Sequence, residues 1–290
     1  MNRSAVTSAG TGLDEDGYIA REGSLARVPD AFRPVVAAAR DRVLALFGAR
    51  LDSAYLYGSV PRGTARIGRS DLDLLIVLRD EPGAADRTAV DALESALDAE
   101  FEQIDGVGAL LLGRERVLSS LETYDLGWFV ACLCTPLLGD DLAEFLPRYR
   151  PDGLLARETN GDLALFLPRW RERVAAAPDD DGLRRVCRLV SRHLVRTAFT
   201  LVMPRWGGWT SDLGEMAEVF ARYYPQWGEP IRGAAAVAYE PVADRDLLTS
   251  YTEEVGPWLA AEYAAAHGVK APREPVVRSG RAPAGSPAAP

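Results

Sequence analysis

The segment Tyr57-Gly58-Ser59-Val60-Pro61-Arg62-Gly63, followed after a short basic loop by Ser70-Asp71-Leu72-Asp73 and the apolar run 74–78, constrains the fold more than any other part of the chain. An Asp-x-Asp pair opening a strand places both carboxylates on one face, because side chains alternate with period two. Two such carboxylates can chelate a divalent cation. Upstream, Gly58-Ser59 follows the run 54–57, so a strand is expected to end there in a tight turn. Backbone N–H groups and the Ser59 hydroxyl would then converge on one spot, which cradles phosphate without a charged side chain. Each half is a weak signal alone. A strand, a Gly-Ser turn, a second glycine and a Ser-Asp-x-Asp strand in succession seldom arise by chance.

Around this segment the chain reads as two domains. Residues 30–49 carry Phe32, Val35, Val36, Val43, Leu44, Leu46 and Phe47 at helical spacing. The strand 71–78 sends Leu72, Leu74, Ile76 and Leu78 to one face and Asp71, Asp73, Leu75 and Val77 to the other, which predicts one core face and one that turns polar at the carboxylates. A helix over 84–101 and a strand over 107–112 follow, the latter bounded by Gly106 and Gly113. Residues 114–121 read as helix, 124–134 fit a buried strand or a buried helix, and Gly139-Asp140-Asp141-Leu142 reads as a turn with a helix cap. After a linker over 147–153 the pattern becomes helical, at 156–176, 183–203, 211–222, 229–238 and 244–266.

The expected class is therefore α/β (α+β), with a small mixed-sheet domain over 30–150 and a C-terminal helical bundle over 151–270. A cleft between them would hold ligand. Residues 1–29, rich in Gly, Ser, Asp and Glu, and 271–290, rich in Pro, Ala, Gly and Ser, are expected to be disordered.

Composition narrows the function. With 290 residues, 48% of them hydrophobic, the chain can bury a substantial core. It has no run of roughly eighteen apolar residues and no charged-then-apolar amino terminus, so a soluble cytoplasmic protein without a membrane partner is expected. Cys132, Cys134 and Cys187 are too few and too dispersed for a disulfide framework or a zinc site, and read as buried structural residues. A net charge of −9 argues against general nucleic-acid binding and is compatible with a cationic small substrate. With only His193 and His267 present, the chemistry falls to carboxylates.

The Gly-Ser…Ser-Asp-x-Asp pattern resembles the signature of the DNA polymerase β-like nucleotidyltransferase superfamily, and the layout of the chain is similar to that of its antibiotic-modifying members, such as the aminoglycoside nucleotidyltransferases. The likeness is sharpest over 55–78. The 63–70 loop is about one residue longer than the family pattern, an insertion that a surface loop absorbs cheaply. The resemblance implies that Asp71 and Asp73 hold two magnesium ions that bind a nucleoside triphosphate. An acceptor hydroxyl then attacks the α-phosphorus and pyrophosphate leaves. It also implies that Gly58 and Ser59 contact the nucleotide, and that Ser70 fixes the turn or the carboxylate rotamer.

Superfamily enzymes carry a third carboxylate on a neighbouring strand, yet 106–113 contains no acid. Asp105 at its start is the candidate, with Glu102 and Glu115 behind it. Arg62, Arg66 and Arg69 lie where a cation would neutralise leaving pyrophosphate, and Arg62 is the site candidate among them.

In the second domain Arg184, Arg188, Arg192 and Arg196 recur every four residues along one helical stripe with no interleaved acid. Such a ladder is either a solvated face or, as the resemblance implies, a clamp on the triphosphate, with Arg188 and Arg192 as candidates. Trp206, Trp209, Tyr223, Tyr224 and Trp227 read as bundle core before acceptor pocket. The expected activity is transfer of AMP from ATP to a hydroxyl of a small molecule such as an aminoglycoside-like antibiotic. Two alternatives stand beside it: a protein- or RNA-modifying, regulatory or toxin-like nucleotidyltransferase, and a nucleotide-binding module without catalysis. Acceptor, nucleobase and oligomeric state stay open at this point.

Overall fold

Strand β1 (Leu51–Tyr57) is buried along its whole length and hydrogen-bonded on both sides, which makes it an interior strand. The computed structural model describes residues 11–273 and 278–279. β1 pairs antiparallel with β2 (Leu72–Leu78), and β2 pairs in parallel with β3 (Val107–Gly113). A parallel pair needs a crossover, and α3 (Ala84–Glu100) supplies it. On the other side of β1 lies β4 (Thr135–Gly139), an antiparallel edge strand that sequence periodicity does not announce. Pro136 cannot donate to a ladder and is tolerated only at an edge. The order is β4-β1-β2-β3, completed beside β3 by the two-residue β5 (Arg278–Ser279). The architecture is thus the expected mixed α+β one.

Both faces of this sheet are covered, and the second face of β2 turns polar only at its Asp71–Asp73 end. Leu72, Leu74, Ile76 and Leu78 pack with Val35, Val43 and Phe47 of α1 (Arg33–Phe47) and Val90 and Leu97 of α3. Leu75 and Val77 pack on the other side with Tyr55, Leu110 and Leu112, under Leu126 and Val130. Those last two belong to π-helical turns at Thr123–Gly127 and Phe129–Leu133, so residues 124–134 are helical and not a strand. A strand buried on both faces reads as a continuous apolar run. Each fully buried Leu or Ile contributes about 2 kcal/mol of transfer free energy.

The chain divides into two compact units, the sheet unit with Arg21–Arg148 and Arg273, and a second with residues 11–20 and Tyr149–Pro272. The second is helical: α5 (Gly153–Asn160), α6 (Leu163–Ala176), α7 (Asp180–Trp206), α8 (Leu213–Tyr223), α9 (Gly228–Tyr239), α10 (Arg245–Ser250) and α11 (Gly256–His267). Asp152, Asp179, Asp212 and Asp244 each cap the following helix by accepting a backbone N–H. The cap at Asp179, with Asp180 and Asp181 in the first turn, starts α7 three residues before the apolar periodicity begins. α7 buries Val190, Leu194, Val195 and Phe199. Trp206 and Trp209 pack edge-on against Phe199, and Trp227 stacks on Trp258 at 4.4 Å. No described helix is long and apolar enough to cross a membrane.

The expected disorder of 1–29 is overturned for its described part. Trp209 N–H donates to Thr11 O at 2.8 Å, Leu13 bridges Ile19, and Ile19 N–H donates to Tyr149 O at 2.8 Å. Arg21 grips Asp141 through both oxygens, at 2.7 and 3.0 Å. Apart from the Leu13–Ile19 bridge, these partners lie over a hundred residues away, so local composition carries no trace of them. Residues 1–10, 274–277 and 280–290 of the two expected tails lie outside the described residues.

His193 on α7 meets the rings of Phe166 and Trp170 edge-on at 4.7 and 5.1 Å. Burial, reinforced by Arg196 and Lys270, pushes its pKa down from 6.5 to about 3. The unfolded chain therefore binds a proton that the folded chain refuses. Stability from this group is complete above pH 6.5 and is lost as pH falls toward 3. One edge of the ring is wet, so we expect wild type to lose about 2 kcal/mol more than His193→Phe between pH 7 and 4. Urea titrations at the two pH values read the difference; parallel losses would refute it.

Candidate active site

The end of β1 sets the geometry. Gly58 has φ 79° and ψ −150°, a conformation L-residues rarely adopt, and it starts α2 (Ser59–Arg62). Tyr57 lies opposite Asp73 in the β1–β2 register. That register carries the Asp73 carboxylate across the turn: a Cβ on Gly58 would stand 2.4 Å from Asp73 Oδ2. Glycine is therefore required here twice, for its backbone conformation and for the approach of a carboxylate. The Gly-Ser turn and one acid of the Asp-x-Asp pair are in contact.

Asp71 is placed by a second set of backbone bonds. Leu72 N–H donates to Gly106 O at 2.8 Å, Asp105 N–H to Ser70 O at 3.1 Å, and Gly68 N–H to Gln103 O at 2.9 Å. They zip the loop before β2 to the loop before β3. A Cβ on Gly106 would sit 3.8 Å from Asp71 Oδ1, an ordinary contact. Both carboxylates are half-buried. Ser70 Oγ accepts the Arg66 N–H at 2.9 Å, which closes the turn before the pair.

The floor beneath Asp73 is apolar. Tyr57 is 7% exposed and meets Phe129 edge-on at 4.9 Å. Cys134 is buried in the same layer, and burial, with Asp141 and Asp73 adding to it, pushes its thiol well above the ordinary value. Cys134 is therefore no nucleophile at neutral pH.

The structure does not bring every candidate together. Asp105 is exposed, and among the described residues no three His, Cys, Asp or Glu side chains converge as metal ligands. Asp105 thus does not complete a three-carboxylate set with Asp71 and Asp73. Its backbone N–H is bound to Ser70 O of the facing loop. Arg66 and Arg69 are exposed, whereas Arg62 is held by Glu22 at 3.5 Å, and its Nε is buried without a hydrogen-bond partner. Glu22 was missed by sequence reasoning, since it sits in a stretch without periodicity and meets Arg62 forty residues on.

Arg188 and Arg192 are half-buried on α7 in the helical unit. The ladder is not free of acids: Arg184 pairs with Asp181 at 2.7 Å and Asp180 at 3.8 Å. Those acids precede the ladder and are invisible to a search for interleaved ones. A groove of about 320 Å³ by α1, lined by Leu25, Val28, Val36 and Leu137 among others, contains none of the candidate acids.

The divalent cation that the pair would hold can be tested against these residues. Two half-buried carboxylates beside two glycine surfaces leave room for an ion that demands few protein ligands and takes the rest from water and phosphate oxygens, as magnesium does. The residues fit.

Residues 36–112 match the family model described as the nucleotidyltransferase domain. That span contains Gly58, Ser59, Arg62, Ser70, Asp71, Asp73 and Asp105 and ends before Arg188 and Arg192. No curated protein matches the chain. Among solved structures, it is similar to the spectinomycin adenyltransferase AAD(9) from Enterococcus faecialis, determined with ATP and spectinomycin. The identity is 12%, over 79% of this chain and 98% of that one, with a TM-score of 0.49.

Proposed function

We propose, from the match of residues 36–112 to the nucleotidyltransferase domain model, that the chain transfers AMP from ATP to a hydroxyl of a small cationic molecule, of the aminoglycoside-like antibiotic class. One observation carries the reading: the Asp73 carboxylate lies against Gly58 of the Gly-Ser turn, so the metal-binding acid and the phosphate turn share one site. Asp71 and Asp73 are the residues proposed to hold two magnesium ions. Bound there, magnesium would neutralise charge on the triphosphate oxygens. The backbone of Gly58 and Ser59, with the Ser59 hydroxyl, orients the phosphates, and Ser70 keeps the loop in register for the pair. Arg62, braced by Glu22, supplies positive charge for departing pyrophosphate.

The remaining roles follow from the chemistry. A bond forms between the acceptor oxygen and the α-phosphorus, the bond to the β-phosphate oxygen breaks, and the acceptor proton needs a base. Asp105, the acid tied to Ser70 through its backbone, is our candidate for that proton and not for the metal. Arg188 and Arg192 are proposed to contact the outer phosphates. The choice of a small cationic acceptor rests on the resemblance to antibiotic-modifying members and on the net charge of −9. The test is incubation with magnesium, each labelled nucleoside triphosphate, and a panel of aminoglycosides, spectinomycin-like aminocyclitols, lincosamides, RNA and protein. Label from ATP on a small molecule is expected. Label on RNA or protein alone would favour the regulatory alternative, and no transfer with intact ATP binding the non-catalytic one.

A further inference from the structure

The helical unit contains a cleft of about 170 Å³ between α6 and α7, lined by Phe166, Arg169, Trp170, Arg173, Leu189 and His193. Two aromatic rings and a leucine that is 39% exposed give it apolar walls. Its polar groups lack protein partners. Trp170 is 1% exposed, and its Nε1–H has no acceptor. That nitrogen is itself sealed from solvent, so the accessible polar groups of the cleft are the two arginines. Neither ring nitrogen of His193 hydrogen-bonds to a described residue, and Arg169 and Arg173, one helical turn apart, form no ion pair with one. The Arg169 guanidinium lies 6.0 Å from the centroid of Phe166.

We propose that this cleft binds a small organic anion with a flat apolar body, an aryl carboxylate. The body lies against Phe166 and Leu189, and the carboxylate is taken by Arg169 and Arg173. Each feature excludes an alternative. Inorganic phosphate would leave the aromatic walls uncovered, a neutral aromatic would leave two guanidinium groups without an anion, and a nucleotide is too large for the volume. His193 is neutral at neutral pH, so the arginines carry the charge. The inference stands on the cleft alone and is independent of nucleotidyl transfer.

Calorimetric titration of benzoate into the full chain tests it. We expect saturable binding with a Kd on the order of 1 mM, and at least roughly tenfold weaker binding of inorganic phosphate and of benzyl alcohol. Arg173→Gln, an exposed change without packing consequences, should weaken benzoate about tenfold. Arg184→Gln, on α7 but ion-paired to Asp181, should change nothing. No saturable heat up to about 20 mM benzoate, equal binding of phosphate, or unaltered affinity in Arg173→Gln would each overturn the proposal.

Discussion

Asp71→Asn and Asp73→Asn are each expected to lower nucleotidyl transfer by ~10³-fold or more, about 4 kcal/mol of transition-state stabilisation, while leaving the fold intact. The change keeps side-chain volume and removes a charge from a half-buried site at the end of a sheet whose own core residues, Leu74 to Leu78, are untouched. The thermal midpoint should stay within about 2 °C, the scale of a fraction of a kcal/mol for a chain of this size. Raising magnesium should restore little, because the missing charge belongs to the ligand set. Single-turnover transfer from labelled ATP, with calorimetric melting beside it, separates the two effects. Near wild-type turnover in both variants would end the assignment of this pair to metal.

Gly58→Ala combines two costs at one atom. A Cβ at φ 79° is strained by about 1–2 kcal/mol, and this one would also meet Asp73 Oδ2 at 2.4 Å. Asp73 must swing away, so the variant is expected to lose about 2–3 kcal/mol of stability and roughly a hundredfold in transfer. Gly207→Ala provides the comparison. Gly207 has φ 73° at the end of α7, and a Cβ there meets nothing within 4 Å. It should cost about 1 kcal/mol and leave transfer unchanged. If the two variants behave alike in transfer, the contact between turn and carboxylate has no catalytic weight.

Residues whose role depends on neighbours in sequence were legible without coordinates. The period-two placement of Asp71 and Asp73, the strand entering Gly58, and the apolar run of β2 all follow from local alternation and from the one residue type that tolerates φ 79°. Helix α7 was legible in its middle for the same reason. Its start was not, since Asp179 caps it three residues before any apolar periodicity. Strand β4 carries Pro136 and ends in the turn signal Gly139-Asp140-Asp141, and only pairing with β1 makes it a strand.

Sequence by itself determined that this chain has an acid pair beside a Gly-Ser turn and a mixed sheet before a helical region. Tertiary structure alone decided that both faces of β2 are covered, that Glu22 braces Arg62, that Asp105 stays outside the acid pair, and that Asp73 rests on Gly58. The division has one physical cause. Alternation, helical spacing and positive-φ turns are properties of adjacent residues and are written in their order, whereas contacts across 15 to over 100 residues depend on which segments the hydrophobic burial of the whole unit brings together.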